Sequence, residues 1–270
     1  MSAKHSLLRA LKRTVRRWLM LTAFNFCCLL RRWRFGRKMP FRSISNQPAL
    51  VIAPHPDDET FGCGALISLK RMAGIPVRVV FLTSGEASLS GFGGNPVTVA
   101  RVRQVQALAA CKHLGVESAG VRWLNLPDGK VPRFGQSGFD EAVNRLTTEL
   151  KEFSAGEIFC PHPQDIHPDH VAAAELMREA VRLSGKPGRV SYYPVWMWYA
   201  GAGLGARLAV DGAWRLDGKT AKLKKAVAIS EYLDAPKSSS GQSYCGKLPW
   251  AFLWNFRHTS EVFFESPRHD

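Results

Sequence analysis

From residue 48 onward the chain alternates short apolar runs with longer amphipathic stretches. Residues 50–53, Leu-Val-Ile-Ala, form an apolar run just before Pro54, which predicts a buried strand. Helical spacing follows over 61–73, a second strand over 77–82, and a helix over 96–114 that Gly115 closes. Short extended runs at 121–124, 157–160 and 190–193 are separated by helical patterns over 139–153 and 170–183, and a further helix is expected over 219–232. This alternation predicts an α/β fold: a Rossmann-like, mainly parallel sheet with helices on both faces. In such folds ligands sit beyond the carboxyl ends of the strands.

The first part of the chain follows another pattern. Residues 6–36 read as a helix, with Leu7, Leu8, Leu11, Val15, Trp18 and Leu19 on one side and Arg9, Lys12, Arg13, Arg16 and Arg17 on the other. The run 18–30 is apolar apart from Thr22 and Asn25, and Arg31, Arg32 and Arg34 close it. It falls short of the ~20 residues that span a bilayer. Arginines also stand where a signal peptide would carry a small-residue cleavage site.

Charge sharpens this reading. Of the 37 Lys and Arg in 270 residues, 12 lie in residues 1–42, which hold no acidic residue; the rest of the chain is close to neutral. A basic amphipathic segment with tryptophans at both ends of its apolar run fits a helix lying in the interface of an anionic membrane. Docking on the body is the plainer alternative. Nucleic acid is disfavoured, because phosphate contacts use the arginines but need no apolar face. The chain therefore divides into a basic segment and linker, 1–47, and a single catalytic domain, 48–270. The six cysteines show no CxxC pair and read as reduced thiols, which points to a cytoplasmic protein peripheral to the inner face of the membrane. Cys63, among small residues, reads as close helix packing rather than as a ligand.

The chemistry concentrates in Pro54-His55-Pro56-Asp57-Asp58-Glu59 and in His167-Pro168-Asp169-His170. Two imidazoles and a carboxylate delivered from two turns can make a three-ligand site. Catalytic zinc wants that arrangement, since its fourth position must stay open for water. Adjacent residues on a turn point in different directions, so Asp58 can face a metal while Asp57 faces the water as general base.

These two motifs resemble those of the PIG-L/LmbE family of zinc-dependent de-N-acetylases. The resemblance runs over roughly 48–235, through Leu82-Thr83-Ser84-Gly85-Glu86, Arg103 to Val116 and Leu126-Pro127-Asp128-Gly129, and returns weakly at Ser260-Glu261-Val262-Phe263. It implies His55, Asp58 and His170 as zinc ligands and Asp57 as the base. His167 would be the oxyanion stabiliser or acid, oriented by Asp169. Glu86 and Arg103 are placed in the substrate cleft, although Gln106 stands where the family usually pairs that Arg with a Glu. Fe2+ or another divalent ion suits the same ligands. Glu59 is expected to support the ligands or cap the next helix, His162 to pack in the fold, and Asp128-Gly129 to form a turn. Aromatic residues between Tyr192 and Tyr199 fit a cleft wall or a core strand equally.

The implied activity is removal of an N-acetyl group from an N-acetylglucosamine-type sugar, with a lipid-linked substrate suggested by the basic arm. The rivals are a soluble amidase acting on a small glucosaminyl conjugate and a metal-free binding protein. The intact set His55, Asp57, Asp58, His167 and His170 argues against the second rival.

Overall fold

A computed structural model describes residues 21–30, 32–185, 188–199, 212–234, 237–246 and 248–265. The helical expectation for residues 6–20 and the glycine-rich stretch at 201–205 lie outside them. Residues 21–30 and 32–36 are helical and are called α1. The remaining elements are β1 (Phe41–Arg42), β2 (Ala49–Ala53), α2 (Asp58–Met72), β3 (Val77–Phe81), α3 (Pro96–Leu114), β4 (Val121–Trp123), α4 (Phe139–Phe153), β5 (Glu157–Pro161), α5 (Pro168–Ser184), β6 (Arg189–Tyr193), β7 (Ala213–Leu216), α6 (Lys222–Leu233), α7 (Trp250–His258) and β8 (Val262–Glu265).

The strands form one sheet in the order β1-β7-β8-β6-β5-β2-β3-β4. The run β6-β5-β2-β3-β4 is parallel throughout, and β8 is antiparallel to both its neighbours. Helices α2, α3 and α6 pack together as one layer, and α4 packs on α5 as another. The expected mainly parallel sheet with helices on both faces is therefore present. Its central strands β2 and β5 are buried along their whole length, as strands covered on both faces must be.

The sheet's far side was not expected. Strand β1 comes from within the N-terminal segment and pairs in parallel with β7, so the boundary at residue 47 falls between two strands of the same sheet. Strands of two to four residues carry too little periodicity to be read locally.

Helix ends follow local chemistry. Asn95 accepts from the Thr98 N–H at 3.1 Å, Pro96 occupies the first turn and Gly115 closes the helix in a left-handed conformation, so α3 has the predicted bounds. Helix α2 instead begins three residues early, at Asp58, because its first turn is the motif itself.

Candidate active site

Five loops leave the carboxyl ends of β2 to β6 on one edge of the sheet, and their residues line a pocket of about 270 Å³. His55, Asp57 and Asp58 come from the first loop, Asp128 and Gly129 from the loop after β4, and His167 from the loop before α5. Trp196, Leu248 and Phe252 form an apolar wall.

The centre of the pocket is Asp58 Oδ2. His55 Nδ1 lies 3.1 Å from it and His170 Nε2 3.2 Å, while the His55 N–H donates to the same oxygen at 3.0 Å. His55 Nε2 faces away, toward Asp169 Oδ2 at 3.0 Å and Asp128 Oδ1 at 3.1 Å. Two carboxylates at one ring nitrogen place the proton there, which leaves the Nδ1 lone pair directed at the Asp58 side. His170 is arranged the same way, with Nδ1 3.4 Å from Asp165 Oδ2.

Electrostatics test whether this cluster suits a cation. Burial disfavours charge on His55, yet Asp128, Asp169 and Asp58 outweigh it and raise its pKa well above the usual value. Burial likewise opposes charge on His170, and Asp58 and Asp165 still raise it to about 9. Four carboxylates thus surround two imidazoles and call for positive charge. Both His170 ring nitrogens are buried without a well-directed hydrogen bond. His55, His167 and His170 each offer a ring nitrogen within 4.8 Å of the others. The residues present therefore fit a divalent cation. His55, Asp128 and Asp169 also cluster within that distance, but backbone N–H groups already occupy both carboxylates.

Asp57 stands beside His55 and Asp58 in a left-handed conformation, φ 116°, which is strained for a residue with a side chain. Glu59 holds it there by accepting from the Asp57 N–H at 3.0 Å. Burial pushes the Asp57 carboxyl up, to about 8, against the pull of Arg103. The Arg103 Nη2 lies 3.0 Å from Asp57 Oδ2 and also donates to the Pro56 carbonyl. Gly85, at φ 68°, is required here: a Cβ would come within 2.4 Å of the Arg103 guanidinium. Gln106 is buried with no hydrogen-bond partner for its amide, so it does not replace a paired glutamate.

Three expectations change in detail. Asp169 does not orient His167 through its carboxylate, which accepts from the Gly129 and Val131 N–H groups and contacts His55. It is the Asp169 backbone N–H that donates to His167 Nδ1, at 3.3 Å, leaving the proton of a neutral ring on Nε2. Glu86 does not line the pocket; its carboxylate accepts from the Asp128 N–H at 2.8 Å and shapes the opposing turn. Arg103 does line the pocket, but its guanidinium is engaged with Asp57.

Sequence reasoning gave Asp128 only a turn and gave Asp165 no role. Asp165 Oδ2 accepts from the Val195 and Trp196 N–H groups, each at 3.0 Å, and so ties His170 to the aromatic wall. Its one local hint was a carboxylate two residues before His167. Tyr192, Tyr193, Trp198 and Tyr199 are buried in the core, and Trp196 reaches the pocket, so the aromatic cluster serves both expected purposes. Cys63 is buried, and burial raises its thiol pKa well above the usual value; it belongs to none of the metal-holding clusters among the described residues.

Known deacetylases are among the proteins this chain is similar to. The chain is 29% identical over 147 residues to a probable N-acetyl-alpha-D-glucosaminyl L-malate deacetylase 2 of Bacillus subtilis, covering 53% of this chain and 65% of the relative. It is 28% identical over 167 residues to a diacetylchitobiose deacetylase of Thermococcus kodakarensis, covering 60% and 58%. The chain thus spans less than two thirds of the length of these curated relatives. The solved N,N'-diacetylchitobiose deacetylase of Pyrococcus horikoshii shares the fold, with a TM-score of 0.61 at 19% identity over 82% of this chain and 84% of that one. Residues 50–181 match the PIG-L family, described as GlcNAc-PI de-N-acetylase.

Proposed function

We propose that this chain is a metal-dependent hydrolase that removes an N-acetyl or related N-acyl group from an N-acetylglucosamine-type sugar. The observation that carries it is the convergence of His55 Nδ1 and His170 Nε2 on Asp58 Oδ2, with the uncoordinating carboxylate of Asp57 beside them. His55, Asp58 and His170 would hold the ion, with zinc the first choice for a nitrogen-and-oxygen set that leaves a position open. When bound, it supplies Lewis acidity to the amide carbonyl and to water.

The rest of the chemistry falls to the chain itself. Asp57, in the ionised form that Arg103 favours against burial, takes a proton from the attacking water. It returns that proton to the nitrogen, because an amine leaves poorly unless protonated. His167, with its proton on Nε2, donates to the oxyanion that develops on the carbonyl oxygen. Asp169 and Asp128 fix the orientation of His55, and Asp165 that of His170. Trp196 and Phe252 supply an apolar surface against which a sugar ring stacks. The pocket's volume, at the small end of ligand sites, suits a single headgroup.

The basic N-terminal segment favours a lipid-linked form of that headgroup, met at the inner face of the cytoplasmic membrane. The rival is a soluble conjugate, and the names of the relatives favour it, since a glucosaminyl malate and a diacetylchitobiose carry no lipid. The test is acetate release from N-acetylglucosamine on a lipid carrier and from its soluble headgroup, with zinc-loaded protein and an Asp57→Ala control. Release from the lipid form alone supports the lipid-linked substrate. Equal release supports the soluble one, and no release from any N-acyl sugar sinks the hydrolase reading.

A further inference from the structure

Helix α1 is inside out. A helix resting on a soluble body turns its apolar stripe inward and its polar side to water. Here Asn25 is 7% exposed and Arg32 5%, while Phe26 is 56% exposed, Leu30 47% and Trp33 60%. The inward placement is built. Arg32 Nε donates to Thr259 Oγ1 at 2.9 Å, its Nη2 donates to the Ser260 carbonyl at 2.8 Å, and its guanidinium lies 4.9 Å from the Trp198 ring. A charged side chain is anchored in the body and the aromatic one beside it is left outside.

Helix α7 also leaves aromatic side chains outside. Ala251, Phe252, Asn255 and Phe256 face the body, whereas Trp250 is 52% exposed and Trp254, one turn on, 46%. Phe26, Leu30 and Trp33 of α1 and Trp254 of α7 line one groove, so the two outward faces are continuous. Residues of that kind, exposed together rather than scattered, mark a surface that something covers.

The rim says what covers it. Arg37 lines the groove, Arg34, Lys38 and Arg257 are exposed on or just after the same two helices, α7 holds no acidic residue, and residues 1–42 hold none. The Arg37 guanidinium stacks 4.8 Å over the Trp33 ring. A two-fold pairing of this face with itself would bring identical cationic rims together. Tryptophan with flanking Arg and Lys is instead the composition that settles at the headgroup level of an anionic bilayer.

We propose that the outward faces of α1 and α7 form a single docking surface for an anionic bilayer, and that α7 is the wall it shares with the active site. Phe252, on the inner side of α7, lines the pocket with its ring centre 4.6 Å from that of Trp196, while Trp250 and Trp254 stand on the outer side. A headgroup in the pocket is then one helix thickness from the lipid surface. The docking rests on exposure and charge alone; its use in presenting a lipid-linked substrate rests on the deacetylase reading above.

The test is flotation of the full zinc-loaded chain with vesicles of phosphatidylcholine containing about 30% phosphatidylglycerol, alongside vesicles without it. Two variants are compared: Trp250→Ser with Trp254→Ser, and Phe26→Ser with Leu30→Ser. Acetate release from soluble headgroup is measured on the same preparations. The native chain is expected to float with the anionic vesicles, and each variant to lose at least about tenfold in partitioning while its soluble-headgroup activity is kept. Brominated lipid should quench native tryptophan emission more than that of the Trp250/Trp254 variant. Flotation of the α7 variant at the native level would overturn the proposal, since the basic arm would then suffice. So would a native dimer, seen by sedimentation equilibrium, that the substitutions dissociate. Native flotation without acetate release from any form would leave the surface standing and remove the deacetylase.

Discussion

Lys225 and Glu261 form a buried ion pair, 2.6 Å apart, that inserts into the backbone of the helix carrying Asp58. Lys225 Nζ donates to the Phe61 carbonyl at 2.8 Å, and Glu261 accepts from the Ala65 and Leu66 N–H groups at 2.6 and 2.9 Å. Phe61 and Ala65 are the two ends of one hydrogen bond in an undisturbed helix. The pair therefore grips α2 one turn beyond the end that carries Asp58, and Tyr193 packs so closely there that a Cβ on Gly62 would meet its ring at 2.2 Å.

Breaking that grip should loosen the site as well as the fold. Lys225→Met leaves a carboxylate buried and uncompensated, and should cost about 3–5 kcal/mol in urea unfolding. Zinc affinity, measured by competition with a chelator, should fall with it. Unchanged zinc affinity in a folded variant would show that α2 holds Asp58 without the pair.

His170 and His167 should separate metal binding from catalysis. His170→Ala is expected to lose bound zinc in elemental analysis. His167→Ala should keep one equivalent of zinc and lose about 100- to 1000-fold in kcat, the effect of removing one oxyanion donor. Loss of zinc from both would make His167 a ligand instead.

Arg103 should tune the base. Its guanidinium opposes the rise in the Asp57 pKa, so removing it makes the carboxylate harder to form. Because the base works ionised, Arg103→Met should move the acid limb of kcat/KM upward by about 1 pH unit or more, and Arg103→Lys should restore part of the shift. A limb that stays in place would detach Arg103 from the base.

His162 should make stability fall in acid. Burial lowers its pKa to about 4, against a nearby Asp165, so the fold prefers the neutral ring. A folded pKa below the unfolded one gives stability that is whole above about 6.5 and lost as pH falls from there toward 4, at most roughly 3 kcal/mol. His162 Nδ1 accepts from the Gln164 N–H at 3.1 Å, which an Asn side chain can imitate. His162→Asn should flatten the pH dependence between 4 and 6.5 in chelator-treated protein followed by urea unfolding. An unchanged slope would assign the acid loss to other groups.

The sequence by itself determined the parts of this protein whose causes are local. Helix α3 was legible to the residue because Asn95, Pro96 and Gly115 act through their own backbone. The two motifs were legible because each lies on one turn at a strand's end. Tertiary structure alone decided what distant side chains do to one another. Asp128 became an orienting group because β4, two strands from β2, ends on the same edge of the sheet, Asp165 because the loop after β5 folds it against His170, and Asp169 turned to His55 because the 129–131 loop supplies its N–H partners. The short strands β1, β7 and β8 form only once paired across the chain, and a run of two to four residues gains too little alone to hold a strand. The run 18–30 is apolar nearly all round, so its periodicity could not say which side would face out. That was set by Arg32 meeting Thr259 and Ser260, residues more than two hundred positions away.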